Sequence, residues 1–210
     1  MPLSFALEIN MNLREKLEKK FSPKIFEHGL FYLFEGSLRF ELSVGGDAIE
    51  MFTVSYSKAL EILSDVFVDE TKITVCLSFY GKKRYAASLS MFREVLDLGF
   101  KIPKKRELWC VVDEEDEEYY RHFMLFEIDI KYLRNLLWGA MAQDLGVRPR
   151  TIGKVYLYGE RSGVLAQPYD DRGMDLVPQK GKSLGLTFKK YNHYLLDYDR
   201  EEMNRVYKNF

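Results

Sequence analysis

Val155-Tyr156-Leu157-Tyr158, Val164-Leu165-Ala166-Gln167 and Met174-Asp175-Leu176-Val177 are three short runs rich in aliphatic, β-branched and aromatic residues. Residues 159–163, with a glycine at each end, separate the first two, and Asp170-Asp171-Arg172-Gly173 precedes the third. Short apolar runs punctuated by Gly and Asp read as strands joined by tight turns, so this stretch predicts an antiparallel meander. In the second turn the order of residues predicts a type I turn with Gly173 in the left-handed conformation.

Beyond the meander, Leu184, Phe188, Tyr191 and Leu195 fall at helical spacing. Asp199 with Glu202 reads as a capping box and Tyr198 with Met203 as a hydrophobic staple, opening a last helix through Val206, Tyr207 and Phe210. Upstream, residues 107–112 and 119–128 read as a hairpin around the acidic run 113–118, and a turn near Glu115 and Asp116 sets Cys110 opposite His122. Asp129 reads as the cap of a helix carrying Leu133, Leu136, Leu137, Ala140, Met141 and Leu145, stopped by Gly146 and Pro149. Asn12 with Glu15 is a capping box for a helix with Leu13, Leu17 and Phe21 on one stripe, ended by Ser22-Pro23. Residues 38–44 alternate like a strand and residues 73–80 read as a buried one. A helix of about three to four turns carries Tyr56, Ala59, Leu60, Leu63 and Phe67. Leu3, Phe5, Leu7 and Ile9 alternate like a strand, and residues 89–98 read as a short helix stopped by Gly99. Helices among hairpin-linked strands give the class α+β: an antiparallel or mixed sheet with helices packed on it, and a C-terminal β-meander followed by helices. No repeat or Pro/Gly/Ser-rich linker interrupts the chain, so residues 1–210 are expected to form a single globular domain. Within it, residues 1–150 supply helices and the central hairpin, and residues 151–210 the meander and last helices.

Composition narrows the function. Lys and Arg number 31 against 32 Asp and Glu, a net charge of −1, which argues against a general nucleic-acid binder that must neutralise phosphates. Hydrophobic residues make up 47% of the chain, enough for a large core, yet no apolar run approaches a membrane span. Met1 to Asn12 has neither a basic start nor a long apolar segment, so no secretory signal and no membrane partner are expected. Two cysteines are too few for a disulfide scaffold and fit a reducing, cytoplasmic setting.

The residues that could carry chemistry are few. His28, His122, His193, Cys76 and Cys110 are scattered without metal-ligand spacing, so no metal is expected. No nucleophile elbow or phosphate-cradling glycine loop occurs, so no cofactor is expected and the chain leans away from enzymes. Cys110 and His122 could form a nucleophile and base if they face each other, but a buried thiol beside a packed imidazole is the commoner arrangement. Lys101, Lys104, Lys105 and Arg106 form a basic patch beside the acidic run, a docking surface or simply a solvated hairpin tip. The densest charge cluster is Tyr169, Asp170, Asp171, Arg172 and Asp175. There Arg172 could present its fork to an anion, with the aspartates fixing it or acting as acid and base. The structural alternative has the aspartates bonding turn amides and Arg172 pairing with Asp175.

Tyr169-Asp170-Asp171-Arg172-Gly173-Met174-Asp175, followed by Tyr191-Asn192-His193-Tyr194-Leu195-Leu196-Asp197-Tyr198-Asp199-Arg200-Glu201-Glu202, resembles the bacterial domain of unknown function 3885 family. Leu38-Arg39-Phe40-Glu41-Leu42 and Lys58-Ala59-Leu60-Glu61-Ile62 are similar to that family's amino-terminal half, so the likeness spans most of the chain. Tyr194 stands where many relatives carry Trp, and residues 177–186 depart from the pattern. The resemblance implies a small cytoplasmic bacterial α+β protein and brings no assigned activity with it. The leading expectation is a protein-binding module, with an immunity-type neutraliser as its specific form, using its 14 tyrosines and segregated charge to hold a protein partner. The alternative is a small-molecule-binding or enzymatic site built on Tyr169, Asp170, Asp171, Arg172 and Asp175.

Overall fold

The computed structural model describes residues 11–81, 99–112, 118–151 and 153–209. The alternating residues 3–9, the helix expected at 89–98 and residues 113–117 of the acidic run lie outside these. Seven strands form one sheet: β1 (Leu38–Glu41), β2 (Lys72–Gly81), β3 (Glu107–Val112), β4 (Tyr120–Asp129), β5 (Lys154–Gly159), β6 (Val164–Asp170) and β7 (Gly173–Pro178). Their order is β1-β7-β6-β5-β2-β4-β3, and every neighbouring pair is antiparallel. Six α-helices are described: α1 (Leu13–Lys20), α2 (Leu30–Leu33), α3 (Ala48–Val66), α4 (Leu133–Met141), α5 (Gly185–Lys190) and α6 (Arg200–Tyr207). The fold is α+β, with the expected meander in β5, β6 and β7.

Side chains alternate across a strand, so each strand feeds two layers. Val75 and Leu77 of β2, Val155 and Leu157 of β5 and Met174 and Leu176 of β7 enter the larger core with residues of α3, α4, α5 and α6. Cys76, Tyr156, Tyr158, Leu165 and Val177 face the other way, onto Leu17, Phe21, Ile25 and Leu30 of the N-terminal segment. Antiparallel sheets often leave one face wet; here the N-terminal helices cover the second face.

Several local expectations are met at residue level. The Asn12–Glu15 capping box opens α1, and β3 and β4 pair in the register that places Cys110 opposite His122. Asp129 caps a short 3-10 turn that leads into α4, which ends at Met141, short of Leu145. Other boundaries move. α3 is 19 residues long because Asp47 caps it, accepting from the amides of Ile49 and Glu50, so the helix begins eight residues before Tyr56. Residues 184–195 form α5 and a separate 3-10 turn rather than one helix.

Two expectations are overturned. Gly173 does not adopt a left-handed conformation; it is required because a Cβ there would run into the Tyr169 ring and lie 2.9 Å from the Phe40 carbonyl oxygen. Asp199 does not cap α6 with its side chain, and Tyr198 is 87% exposed, so no staple forms. A 3-10 turn over Asp197–Asp199 runs straight into α6 and supplies backbone acceptors at its start, which releases the Asp199 carboxylate.

Candidate functional site

The alternation that buries apolar residues also sets polar ones in a row. β1 pairs with β7 and β7 with β6 so that Arg39 lies opposite Asp175, and Asp175 opposite Gln167. These three residues, with Tyr169 of β6 and Lys154 of β5, line a cleft of about 240 Å³ on the face covered by the N-terminal segment, and His28 and Gly29 close it.

Arg39 anchors one wall. Its guanidinium donates to Asp175 Oδ1 at 2.8 Å and Oδ2 at 2.9 Å, and to Asp199 Oδ2 at 3.3 Å. Its side chain is 12% exposed, against 1% for Asp175 and 7% for Asp199, so the triad is nearly dry. Tyr32 donates its hydroxyl to Asp199 at 3.0 Å, and its ring sits 4.6 Å from the guanidinium carbon. Asp175 also accepts from the Phe31 amide at 3.1 Å, which caps α2 in trans, because Gly29 at its start has no side chain to do so. Every oxygen of Asp175 is therefore taken. The two family-like segments, the 169–175 turn and the tail around Asp199, meet at this one arginine. The tail also seals the sheet edge: the Leu196 amide donates to the Arg39 carbonyl, and Leu195 bridges to Phe40.

The remaining turn residues are tied locally. Arg172, whose side chain is 74% exposed, folds back on Asp170, with its backbone amide 2.8 Å from Oδ1 and Nε 3.0 Å from Oδ2. The structural alternative of an Arg172–Asp175 pair is thus replaced by Arg172–Asp170 and Arg39–Asp175. Asp171 is buried and accepts from Ser43 Oγ at 3.0 Å. Of the five candidate residues, Tyr169 and Asp175 reach the cleft, while Asp170, Asp171 and Arg172 build the turn that positions them.

Three groups at the cleft keep hydrogen-bonding capacity. Gln167 is 2% exposed, and its amide makes no hydrogen bond to a described residue. Lys154 has no ion-pair partner among the described residues. Tyr169 makes no described hydrogen bond, and burial, reinforced by Asp175, pushes its phenol well above its ordinary range, so it stays protonated. His28 is pushed below its ordinary value by burial and by the charges of Arg121 and Lys154, and its Nε2 lies 3.1 Å from the Tyr80 hydroxyl. Because the folded state resists protonating His28, stability should fall as pH drops below about 6.5, the unfolded value. His28→Asn should flatten that slope in urea titrations; an unchanged slope would contradict the assignment. Sequence reasoning missed Arg39, Gln167 and Lys154, which only strand register brings together, and named His28 only as one of the scattered histidines.

The Cys110–His122 pair is not a built nucleophile site. No hydrogen bond joins the two, and the buried imidazole stacks on Phe79 with centroids 5.1 Å apart. Cys76 is fully buried, and desolvation pushes its thiol far up, which leaves it inert. Thiol titration of the native protein should therefore label Cys110 first and Cys76 only on unfolding; simultaneous labelling would contradict this packing.

Among the described residues no group of three His, Cys, Asp or Glu could hold a metal ion, and no helix is long and apolar enough to cross a membrane. Comparison with curated proteins and with solved structures returns no match. A family described as a domain of unknown function, DUF3885, matches residues 13–199, which include every residue of the cleft and the Arg39 triad, and the chain belongs to that family.

Proposed function

We propose that the protein binds a small ligand bearing a carboxylate or phosphate group in the cleft between β5, β6, β7 and His28. The observation that carries this reading is Gln167, a side chain almost wholly covered by protein whose amide lines the cleft and makes no hydrogen bond to a described residue. A hydrogen bond from this amide to a charged ligand group would contribute about 1.5–3 kcal/mol. The carboxylates beside it are already occupied by Arg39, whereas the Lys154 ammonium and the Tyr169 hydroxyl are available, so the cleft presents donors. A volume of about 240 Å³ suits a group of few heavy atoms rather than a larger cofactor.

Thermal unfolding in inorganic phosphate, succinate or chloride at matched ionic strength tests this. Binding to the folded state alone raises Tm saturably, by about 2.7 kcal/mol of stabilisation at a hundredfold excess over Kd. Phosphate or succinate should do this for the wild type and not for Lys154→Gln or Gln167→Leu. Equal shifts in all salts, or shifts unchanged in the variants, would sink the reading.

A protein partner is the second reading, favoured by the outer edge of β3. No described strand pairs there, and Leu108, Val111 and Val112 are 46%, 52% and 47% exposed. Such an edge can accept a strand from another chain, and an immunity-type role would rest on that pairing. Capture of a stoichiometric protein by the wild type and its loss with Leu108→Lys would support this reading; capture unaffected by that change would oppose it.

A further inference from the structure

A second site lies on the same face. α1, the turn after it and strands β2, β3 and β4 enclose a groove of about 680 Å³, with His28 shared between it and the cleft. Its wall is aromatic. Trp109 and Phe123 stack with centroids 4.8 Å apart and planes within 5°, and Phe26 packs 5.5 Å from Trp109. Above them, the Arg14 guanidinium lies 4.8 Å from the Trp109 ring and the Arg121 guanidinium 4.9 Å from the Phe123 ring.

The two arginines differ in what balances them. Arg14 is paired with Glu18 at 2.6 Å. Arg121 is held only by neutral oxygens: Nε donates to Ser78 Oγ at 3.0 Å, and Nη2 donates to the Tyr156 hydroxyl at 2.9 Å and to the Phe26 carbonyl. No carboxylate among the described residues forms an ion pair with it; Glu27, the other acid at the groove, is exposed at the rim. A partly buried guanidinium held by neutral dipoles alone leaves an electrostatic gain unclaimed, which an anion beside it would supply. The Trp109 indole N–H likewise makes no described hydrogen bond.

We infer that this groove is a binding site for a planar aromatic anion, whose ring packs against Trp109 and Phe26 while its carboxylate or phosphate pairs with Arg121. The aromatic wall supplies dispersion and quadrupole contacts that tolerate many rings, and the cation selects for charge. This site is carried by its own residues and stands whether or not the neighbouring cleft binds its ligand.

The chain has two tryptophans, so Trp138→Phe leaves Trp109 as the sole indole, and its N–H signal in a nitrogen-15 correlation spectrum reports the groove directly. The probes are 2-naphthoate and its uncharged analogue 2-naphthylmethanol. Naphthoate should shift the Trp109 signal saturably and bind about tenfold or more tightly than the alcohol, the difference expected of one charge-assisted hydrogen bond. Arg121→Gln should abolish that preference. Because Arg121 also ties down Phe26, a second variant guards against misfolding: Val111→Glu, at an exposed groove position opposite Arg121 across β3 and β4, sets a negative charge beside the guanidinium and leaves Arg121 itself in place. It should weaken naphthoate and leave the alcohol unchanged. Equal affinity for acid and alcohol, or a Trp109 signal that neither probe moves in the folded protein, would overturn the assignment.

Discussion

Replacing Arg39 with Met should lower the free energy of unfolding by about 3–5 kcal/mol, the range for breaking a buried ion pair by removing one partner. The cause is what remains. Asp175 and Asp199, at 1% and 7% exposure, would lose their shared cation and face each other uncompensated. Asp175 would keep only the Phe31 amide and Asp199 only the Tyr32 hydroxyl. The damage should extend to α6, because Asp199 at its start is tied to β1 through this arginine. Urea unfolding measures the loss, and amide exchange across α6 shows whether the helix loosens with it. Arg39→Met combined with Asp175→Asn and Asp199→Asn should be more stable than Arg39→Met alone, since no orphaned charge is left. A cost below about 1 kcal/mol for the single variant would mean the triad is solvated in practice and cannot organise the cleft.

Gly173→Ala should cost about 1–3 kcal/mol through overpacking. The added methyl would meet the Tyr169 ring on one side and approach the Phe40 carbonyl to 2.9 Å on the other. Tyr169 can swing away, but β1 is fixed by its pairing with β7, so part of the cost falls on the backbone. Comparing Gly173→Ala with Gly173→Asn separates crowding from conformation. A left-handed position tolerates Asn better than Ala, whereas a crowded one makes the larger Asn worse. Asn should therefore be the more damaging change. The displaced Tyr169 should also weaken the anion-dependent rise in Tm. A milder effect for Asn would restore the left-handed reading of this turn.

The strands were legible where the chain punctuates itself. Glycine and aspartate turns bound β5, β6 and β7, and the acidic run centres the hairpin closely enough to place Cys110 against His122. The first two turns of α3 were hidden because Ile49 is 74% and Val54 39% exposed, which blurs the apolar stripe. Asp199 misled for a different reason. Its spacing to Glu202 matches a capping box, and nothing local reveals that its carboxylate is drawn to Arg39, 160 residues away. The cleft was half visible. Tyr169 and Asp175 stood out as part of a charged cluster, but Arg39, Lys154 and Gln167 come from other strands and are united only by register. An arginine at the alternate position of Leu38-Arg39-Phe40 is, in the sequence, indistinguishable from an outward-facing strand residue.

The central claim is that the cleft beside Gln167 binds an anion, and the side-chain amide of Gln167 reports on it most directly. In a nitrogen-15 correlation spectrum titrated with phosphate and then with succinate, chloride held as the control, that amide pair should move along a saturable curve. The movement should be lost in Lys154→Gln. A Gln167 amide that stays still while the protein remains folded, or that moves equally in chloride, would contradict the account.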